Sequence, residues 1–129
     1  MASYSAKQLA RARQAARKRG LPADLYINDW LQTVEDFQGK CAYCGSAYET
    51  LDHFIALSQG GGTSVTNCVP CCRMCNQRKQ GLPLQKVWSI SPEILERTRQ
   101  YLASRKPGQR WQEAILALLH PPPERSRDE

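Results

Sequence analysis

The stretch Cys41-Ala42-Tyr43-Cys44, together with its counterpart Cys72-Arg73-Met74-Cys75, decides the fold of this chain. A Cys-x-x-Cys turn brings two thiolates close together, and two such turns complete a tetrahedron around one metal ion. Thiolates are soft ligands that select zinc, and four of them leave no coordination position open for water. The spacing therefore predicts a structural zinc ion with four ligands: Cys41, Cys44, Cys72 and Cys75.

A second cysteine pair of the same spacing, Cys68 and Cys71, lies directly upstream of Cys72. Spacing alone does not choose between the two pairs. We favour the later pair because Cys75 adjoins Asn76 and a basic segment with helical character. Cys68 and Cys71 are then expected to be a small buried residue and a spare thiol.

The segment between the two cysteine turns predicts two strands. Residues 49–56 fit a short strand, the three consecutive glycines within 59–64 require a loop, and residues 67–70 fit a second strand paired back on the first. Pro70 is expected at the end of that strand, since proline cannot donate to the ladder. A short helix is predicted to follow within 72–81.

Two helices are predicted before this segment. Residues 5–19 are rich in Ala, Gln, Lys and Arg, and Leu9 is their one large apolar residue, so we expect a surface arm with bases all around its axis. A second helix is expected to begin at Asn28 or Asp29, either of which can cap it. Its predicted core-facing residues are Trp30, Leu31, Val34 and Phe37.

Two more helices are predicted towards the C-terminus. Ser91-Pro92-Glu93 is a helix start, with a capping residue, a proline in the first position and an acid near the positive end of the dipole. The apolar stripe of that helix consists of Ile94, Leu95, Tyr101 and Leu102. Residues 110–119 are predicted to form the last helix, and the polar tail 120–129 is expected to be disordered. We expect residues 1–129 to form a single domain.

The net charge of +6 is unevenly distributed along the chain. Residues 1–20 hold six bases and no acid, residues 21–72 hold six acids against one base, and residues 73–129 are again basic. An acidic middle between basic flanks suits a polyanionic partner, because each neutralised phosphate releases counterions. Nucleic acid is therefore the expected partner, although the same bases could form a solvated surface. The candidate contacts are Lys7, Arg11, Arg13, Arg17, Lys18, Arg19, Arg73, Arg78 and Lys79.

Targeting signals are absent from the sequence pattern. No apolar run approaches the length of a membrane span, and the basic, Ala-rich N-terminus has no apolar signal-peptide core. The expected compartment is therefore the cytoplasm, with no membrane partner. In that compartment, cysteines in x-x-spaced pairs indicate metal binding rather than disulfides.

Several spaced residues together resemble the HNH endonuclease family, also called the ββα-metal nucleases. They are Asp52-His53, Gly60-Gly61, Thr66-Asn67, and Cys72-x-x-Cys75-Asn76 with Lys79. The resemblance covers residues 41–83 and is greatest to the zinc-knuckled members of bacteria, phages and mobile elements. It implies an α+β fold in which a ββα-metal core with structural zinc knuckles is flanked by N-terminal and C-terminal α-helices.

The resemblance also implies a role for each matching residue. His53 corresponds to the general base that takes a proton from the attacking water. Asp52 and Asn76 correspond to two ligands of one catalytic divalent cation, for which magnesium or manganese is suited. Asn67 corresponds to the residue that braces the loop and helps to orient the His53 ring. Asn76 stands where the family name has its final His, a variation that many active members share.

The implied function is a metal-dependent endonuclease that hydrolyses DNA phosphodiester bonds and nicks double-stranded DNA. A phage packaging complex or another DNA-processing complex is an expected setting. The alternative is a non-enzymatic zinc module that binds nucleic acid. The sequence partly distinguishes the endonuclease from the zinc module. A module that only binds nucleic acid does not require the four residues at these positions, namely Asp52, His53, Asn67 and Asn76. Target specificity and oligomeric state do not follow from the sequence.

Overall fold

The structure, a computed structural model, describes residues 4–83, 86–87, 89–106 and 119. Its elements in chain order are helices α1 (Ala6–Lys18) and α2 (Ile27–Asp36), strand β1 (Thr50–His53), a 3₁₀ turn (Leu57–Gln59), strand β2 (Cys68–Cys71), and helices α3 (Arg73–Lys79) and α4 (Pro92–Ala103). The predicted α+β fold is confirmed, with an antiparallel hairpin followed by a helix and further helices on both sides. None of the helices in these ranges is long and apolar enough to cross a membrane.

Strands β1 and β2 form an antiparallel hairpin in which His53 lies opposite Cys68. Pro70 lies opposite Leu51, inside β2, so its predicted place at the strand end is wrong. Each strand of a hairpin is an edge strand, where a proline can occupy an inner position without interrupting a central ladder. The Pro70 carbonyl accepts a hydrogen bond from the Ala42 N–H at 2.9 Å, which ties the first cysteine turn to β2.

Two hydrophobic clusters cover the two faces of the hairpin. The first contains Leu51 and Cys68 together with side chains from α1 and α2. The second contains Val69 and Phe54 together with Leu102 of α4 and three of the predicted zinc ligands, Cys41, Cys72 and Cys75. Because successive residues of a strand point to opposite faces, Asp52 faces the second cluster and His53 faces the first. Asp52 and His53 are adjacent in sequence but therefore lie in different surroundings.

Helix α1 packs on the body of the protein through Leu9 and Ala16, which are both 0% exposed. The helix starts with a capping box, in which the Ser5 hydroxyl accepts from the Gln8 N–H and the Gln8 side chain accepts from the Ser5 N–H. Leu9 lies in the same cluster as Trp30. The expected surface arm is therefore wrong, because the small Ala16 lets the helix approach closely enough for one leucine to anchor it.

Helix α2 begins at Ile27 with Tyr26 as its N-cap, so the predicted caps Asn28 and Asp29 are wrong and lie inside the first turn. Trp30 is fully buried, as predicted, whereas Leu31 is 46% exposed and its predicted core-facing position is wrong. Consecutive residues on a helix are separated by about 100° around the axis. Leu31 therefore turns to solvent when its neighbour Trp30 faces the core.

Helix α4 begins as predicted, since the Ser91 hydroxyl accepts a hydrogen bond from the Ile94 N–H at 3.2 Å. The helix is fastened to α2: the Tyr101 hydroxyl donates to Asp36 at 2.6 Å, and Arg105 donates to the Asp29 carbonyl at 3.1 Å. The helix predicted over 110–119 and the tail 120–129 lie outside the described residues, apart from Leu119.

Candidate active site

The four predicted zinc ligands converge at one point of the structure. The Sγ atoms of Cys41, Cys44, Cys72 and Cys75 all lie within 4.8 Å of one another. Cys44 and Cys72, which belong to different turns, have their Sγ atoms 3.6 Å apart. The N–H groups of Tyr43 and Cys75 donate to the sulfur atoms of Cys41 and Cys72 at 3.4 Å, which favours the thiolate form. This cluster can hold a metal ion.

The alternative cysteine pair has different surroundings. Cys68 is buried in the hydrophobic cluster beneath α1, and burial raises the pKa of its thiol, so it stays protonated. Cys71 is also buried, and its thiol donates to the Cys72 carbonyl at 3.2 Å. The neighbouring Cys71 thiol and backbone N–H groups lower the pKa of Cys41 to about 4, against the opposing effect of burial. Cys71 thus lies next to the cluster without being one of the four converging residues.

Asp52 lies at the centre of a buried hydrogen-bond network between β1 and α3. Its Oδ2 accepts from Lys79 Nζ at 2.6 Å and from the Tyr43 hydroxyl at 2.6 Å. Its Oδ1 accepts from Asn76 Nδ2 at 3.0 Å. Burial, together with the Asp52 charge, raises the pKa of Tyr43 well above its ordinary value, so the phenol remains a donor. The carboxylate is thereby held with Oδ1 turned towards Asn76.

Lys79 is the buried ion-pair partner of Asp52 and is only 3% exposed. Its ammonium group also donates to the carbonyls of His53 at 3.0 Å and Phe54 at 3.1 Å. An ammonium group has three protons, which these three short contacts use, while the Tyr43 hydroxyl lies farther from Nζ at 3.5 Å. The predicted contact of Lys79 with DNA is therefore wrong, because α3 turns this residue towards β1 while the preceding Arg78 stays exposed.

Replacing Lys79 by Met is expected to lower the free energy of unfolding by about 3–5 kcal/mol, because the buried Asp52 carboxylate loses its counter-charge. Denaturant unfolding of the metal-loaded protein measures the effect. Lys7→Met removes an exposed charge and should change the free energy by less than about 0.5 kcal/mol. Adding Asp52→Asn to Lys79→Met should recover part of the loss, since the unpaired charge disappears. Equal losses for the two single variants would contradict this role.

His53 points to the other face of the hairpin, towards α1. Its Nε2 lies 2.9 Å from the hydroxyl oxygen of Thr63. Burial lowers the pKa of His53 below its ordinary value, against the opposing effect of the Asp52 carboxylate. The ring is therefore neutral at neutral pH, which is the form that a general base must have.

One cavity joins the residues that the resemblance singled out. Its volume is about 140 Å³, and Asp52, His53 and Asn76 all line it. The 3₁₀ turn and the residues that follow α3 supply other parts of its wall. A carboxylate and an amide oxygen are hard ligands of the kind that divalent magnesium or manganese takes, with water or phosphate in the remaining positions. His53 thus lines the same cavity as two groups able to hold a divalent cation.

The family model of the HNH endonucleases matches residues 41–81, which contain both cysteine turns, the hairpin and α3. We refer to residues 41–81 as the HNH domain, after the family model that they match. The chain is also 26% identical over 76 residues to YoqL of Bacillus subtilis (strain 168), which is named as an HNH endonuclease derived from the SPbeta prophage. That alignment covers 48% of this chain and 32% of YoqL, so the chain spans about a third of the length of this relative.

Asn67 braces the loop that follows β1 in the HNH domain. Its Oδ1 accepts from the Ile55 N–H at 2.8 Å, and its Nδ2 donates to the carbonyls of Ile55 at 2.9 Å and Gly62 at 2.8 Å. Among the described residues, none of these bonds reaches His53, so the Asn67 side chain shapes the loop without a hydrogen bond to the ring that it was expected to orient. Gly61 is required beside it, because a Cβ there would lie 1.7 Å from the Ile55 oxygen.

Two residues of the HNH domain that contact the predicted site residues were missed by the sequence analysis, Tyr43 and Thr63. Tyr43 lies inside the first Cys-x-x-Cys turn. A tyrosine between two predicted metal ligands could have been considered as a hydrogen-bond partner of Asp52. Thr63 has no comparable local signal. Its hydroxyl donates to the carbonyl of Ala12, a residue 51 positions away in sequence.

Three predicted DNA-contacting bases form a stripe along α1, which lies outside the HNH domain: Lys7, Arg11 and Lys18. At about 100° per residue they share one side of the helix, opposite the buried Leu9 and Ala16. All three are exposed. The remaining bases of α1, Arg13 and Arg17, lie at other angles, so bases occur around much of the axis and the stripe is the side opposite the packed face.

The other predicted DNA-contacting bases differ in their surroundings. Arg13 is half-buried: its guanidinium lies 4.1 Å from the ring centroid of Tyr26 and donates to the Leu25 carbonyl at 2.8 Å. These contacts fasten α1 to the segment that leads into α2, which is not the surface role that was predicted. The remaining bases are exposed, namely Arg17, Arg19, Arg73 and Arg78.

Proposed function

We propose that this chain is a metal-dependent endonuclease that hydrolyses phosphodiester bonds of DNA and nicks the duplex. The observation that carries the proposal is the cavity shared by Asp52, His53 and Asn76, beside a separate cluster of four cysteines. Hydrolysis of a phosphate ester is promoted by a base for the attacking water and by a cation for the developing charge. A closed four-cysteine site supplies neither of these.

In the proposed reaction, His53 takes a proton from the water that attacks the scissile phosphorus. His53 lines the cavity, and its neutral ring is the form suited to that step. Asp52 and Asn76 would hold a magnesium or manganese ion, which stabilises negative charge on the phosphate and on the leaving 3′ oxygen when bound. Lys79 and Tyr43 occupy Oδ2 of Asp52, and Oδ1 accepts from Asn76 Nδ2. A cation held by both residues would replace that hydrogen bond, with the Asn76 amide turned to present its oxygen.

We propose that the ion of the cysteine cluster is zinc and that its role is structural. Four converging thiolates match the ligand set and the closed geometry that zinc prefers. Cys72 is also the N-cap of α3, the helix that carries Asn76 and Lys79. A metal ion held there would join the first cysteine turn to the start of α3, and so set the position of α3 against β1.

We propose that the exposed stripe of α1, formed by Lys7, Arg11 and Lys18, lies along the DNA backbone. The helix is close to the candidate site, because the Ala12 carbonyl contacts the same hydroxyl as His53. Its buried face is turned to the body, so the stripe is free to meet phosphates. Phosphate contacts of this kind position a protein on DNA without reading its sequence.

The triple variant Lys7→Gln, Arg11→Gln, Lys18→Gln is expected to weaken DNA binding on all sequences alike. It should also flatten the dependence of log affinity on log salt by about 0.9 for each phosphate contact that is lost. Glutamine has nearly the helix propensity of lysine and arginine, so α1 should remain folded. Fluorescence anisotropy with a labelled duplex over a range of salt concentrations measures both effects.

A matched triple variant removes the same charge from exposed positions in and just after α4: Arg97→Gln, Arg99→Gln, Lys106→Gln. Its salt dependence should stay closer to that of the wild type. If both triples flatten the salt dependence equally, the stripe on α1 has no special part in binding DNA. DNA binding would then be distributed over the basic surface of the protein.

Cleavage of supercoiled plasmid tests the proposed function directly. The wild-type protein should convert supercoiled plasmid to the open circle with magnesium or manganese and should be inactive with excess chelator. A preparation that holds its structural metal and binds the plasmid but does not cut it with either ion would overturn the proposal. That outcome would instead support a non-enzymatic zinc module that binds nucleic acid.

A further inference from the structure

The hydroxyl of Thr63 links the N-terminal helix to His53. Thr63 is 0% exposed, and its Oγ1 donates a 2.8 Å hydrogen bond to the carbonyl of Ala12 in α1. The same oxygen lies 2.9 Å from His53 Nε2. A threonine hydroxyl has one proton, so with that proton directed at Ala12 the oxygen accepts from Nε2–H. In the neutral ring, the lone pair able to take a proton is then on Nδ1.

The backbone of Thr63 is held by the same N-terminal segment. Its N–H donates to the Pro22 carbonyl at 2.9 Å, and its carbonyl accepts from the Leu25 N–H at 3.1 Å. The preceding Gly62 is so close that a Cβ on it would lie 2.4 Å from the Pro22 oxygen. The N–H, the carbonyl and the hydroxyl of Thr63 are thus all bonded to residues 12–25, which precede the HNH domain in sequence.

Strand geometry explains why His53 depends on this segment. Leu51 of β1 and Cys68 of β2 lie in the cluster that includes Leu9 of α1, and His53 shares their face of the hairpin. Asp52 lies on the other face, where α3 and the first cysteine turn hold it. Each of the two adjacent residues is therefore oriented by a different part of the chain.

We propose that Thr63 is a positioning residue for the candidate base, and that α1 is part of the active centre rather than an accessory arm. Thr63 transmits the position of α1 to the imidazole by holding Nε2–H, which fixes both the tautomer and the ring orientation. This inference rests on the proposed role of His53. Deleting α1 should then slow cleavage even at saturating DNA, because the Ala12 acceptor and the packing of Leu9 are both lost.

The first test replaces Thr63 by Val, which keeps the branched shape and removes the hydroxyl. The cleavage rate at saturating enzyme is expected to fall by roughly 10- to 100-fold, as for a misplaced catalytic group, with DNA affinity unchanged. Thr63→Ser restores the hydroxyl and should recover most of the rate. Thr66→Val makes the same change at an exposed residue of the same loop and should cleave like the wild type. A folded, metal-loaded Thr63→Val protein with the wild-type rate would overturn the inference.

The second test needs no activity. The chain has two histidines, so selective ¹⁵N labelling of histidine gives two ring systems, and a His120→Gln variant identifies that of His53. The wild type and Thr63→Ser should show a protonated Nε2 and an unprotonated Nδ1, and Thr63→Val should show a mixture of tautomers. A protonated Nδ1 in the wild type would overturn the inference. If the wild type cuts no DNA, the proposed function fails, and the ring spectrum still decides whether Thr63 sets the tautomer.

Discussion

His53→Ala is expected to lower the rate of DNA cleavage by roughly 10²- to 10⁴-fold, the usual contribution of a positioned base. The change should leave the fold intact, because the ring lies on the opposite face of the hairpin from the Asp52 network and its hydrogen bond among the described residues is the one with Thr63. One such bond contributes about 0.5–1.5 kcal/mol. DNA affinity should also stay near the wild-type value, since a base acts mainly in the transition state.

The control for this variant is His120→Ala, which changes the other histidine of the chain. It should cleave like the wild type, and the pair of variants also exposes any contaminating nuclease, which would leave both equally active. Single-turnover cleavage at saturating enzyme, with metal content and binding measured on the same samples, separates the chemical step from affinity. A His53→Ala protein that retains the wild-type rate would exclude His53 as the base.

Local spacing accounts for most of what could be predicted from the sequence. Two Cys-x-x-Cys turns fix four sulfur atoms with little freedom, so their convergence could be predicted without the rest of the fold. The start of α4 at Ser91-Pro92-Glu93 is equally local, since each residue satisfies a condition of the first helical turn. Asp52 and Asn76 were expected at one site by resemblance, and their side chains are 3.0 Å apart.

Lys79 shows where local reasoning fails. It ends a short basic helix next to Arg78, and the two residues look equivalent in sequence. About 100° around the helix axis separates them, and packing of α3 on β1 decides which one is buried. The rotation of α3 about its own axis depends on contacts between segments that are distant in sequence. One of these contacts is the hydrogen bond from the Tyr43 hydroxyl to Asp52. Pattern and charge alone therefore cannot tell a phosphate contact from a buried counter-ion.

The N-terminal helix was misjudged for a related reason. A helix with one large apolar residue, Leu9, predicts little burial, yet Leu9 and Ala16 are completely covered. The apolar contact is supplemented by two hydrogen bonds, from Thr63 to the Ala12 carbonyl of α1 and from Arg13 of α1 to the Leu25 carbonyl. A prediction from amphipathicity considers only the apolar residues of such an interface. The hydrogen bonds of the interface join residues that are distant in sequence, so they can be identified only in the folded structure.

Cys75→Ala is expected to abolish zinc binding and to unfold the HNH domain, with Cys41→Ala giving the same result. Structural zinc contributes about 10–16 kcal/mol of apparent free energy in small zinc domains. The net stability of a domain is about 5–15 kcal/mol, so loss of one ligand is enough to remove the folded state. Zinc content by atomic emission should fall from one ion per chain, and the cooperative thermal transition should disappear.

The matched control is Cys68→Ala, which truncates a fully buried cysteine of the alternative pair. Its thiol lies in the hydrophobic cluster beneath α1, so the change removes one buried sulfur atom and should lower stability without loss of zinc. Cys72→Ala separates the two assignments most sharply, because Cys72 belongs to the four converging residues and directly follows Cys71. If Cys68→Ala loses zinc while Cys72→Ala keeps it, the ion is bound by the earlier pair. Helix α3 would then be positioned by packing and by the Lys79–Asp52 pair rather than by a metal at its N-terminus.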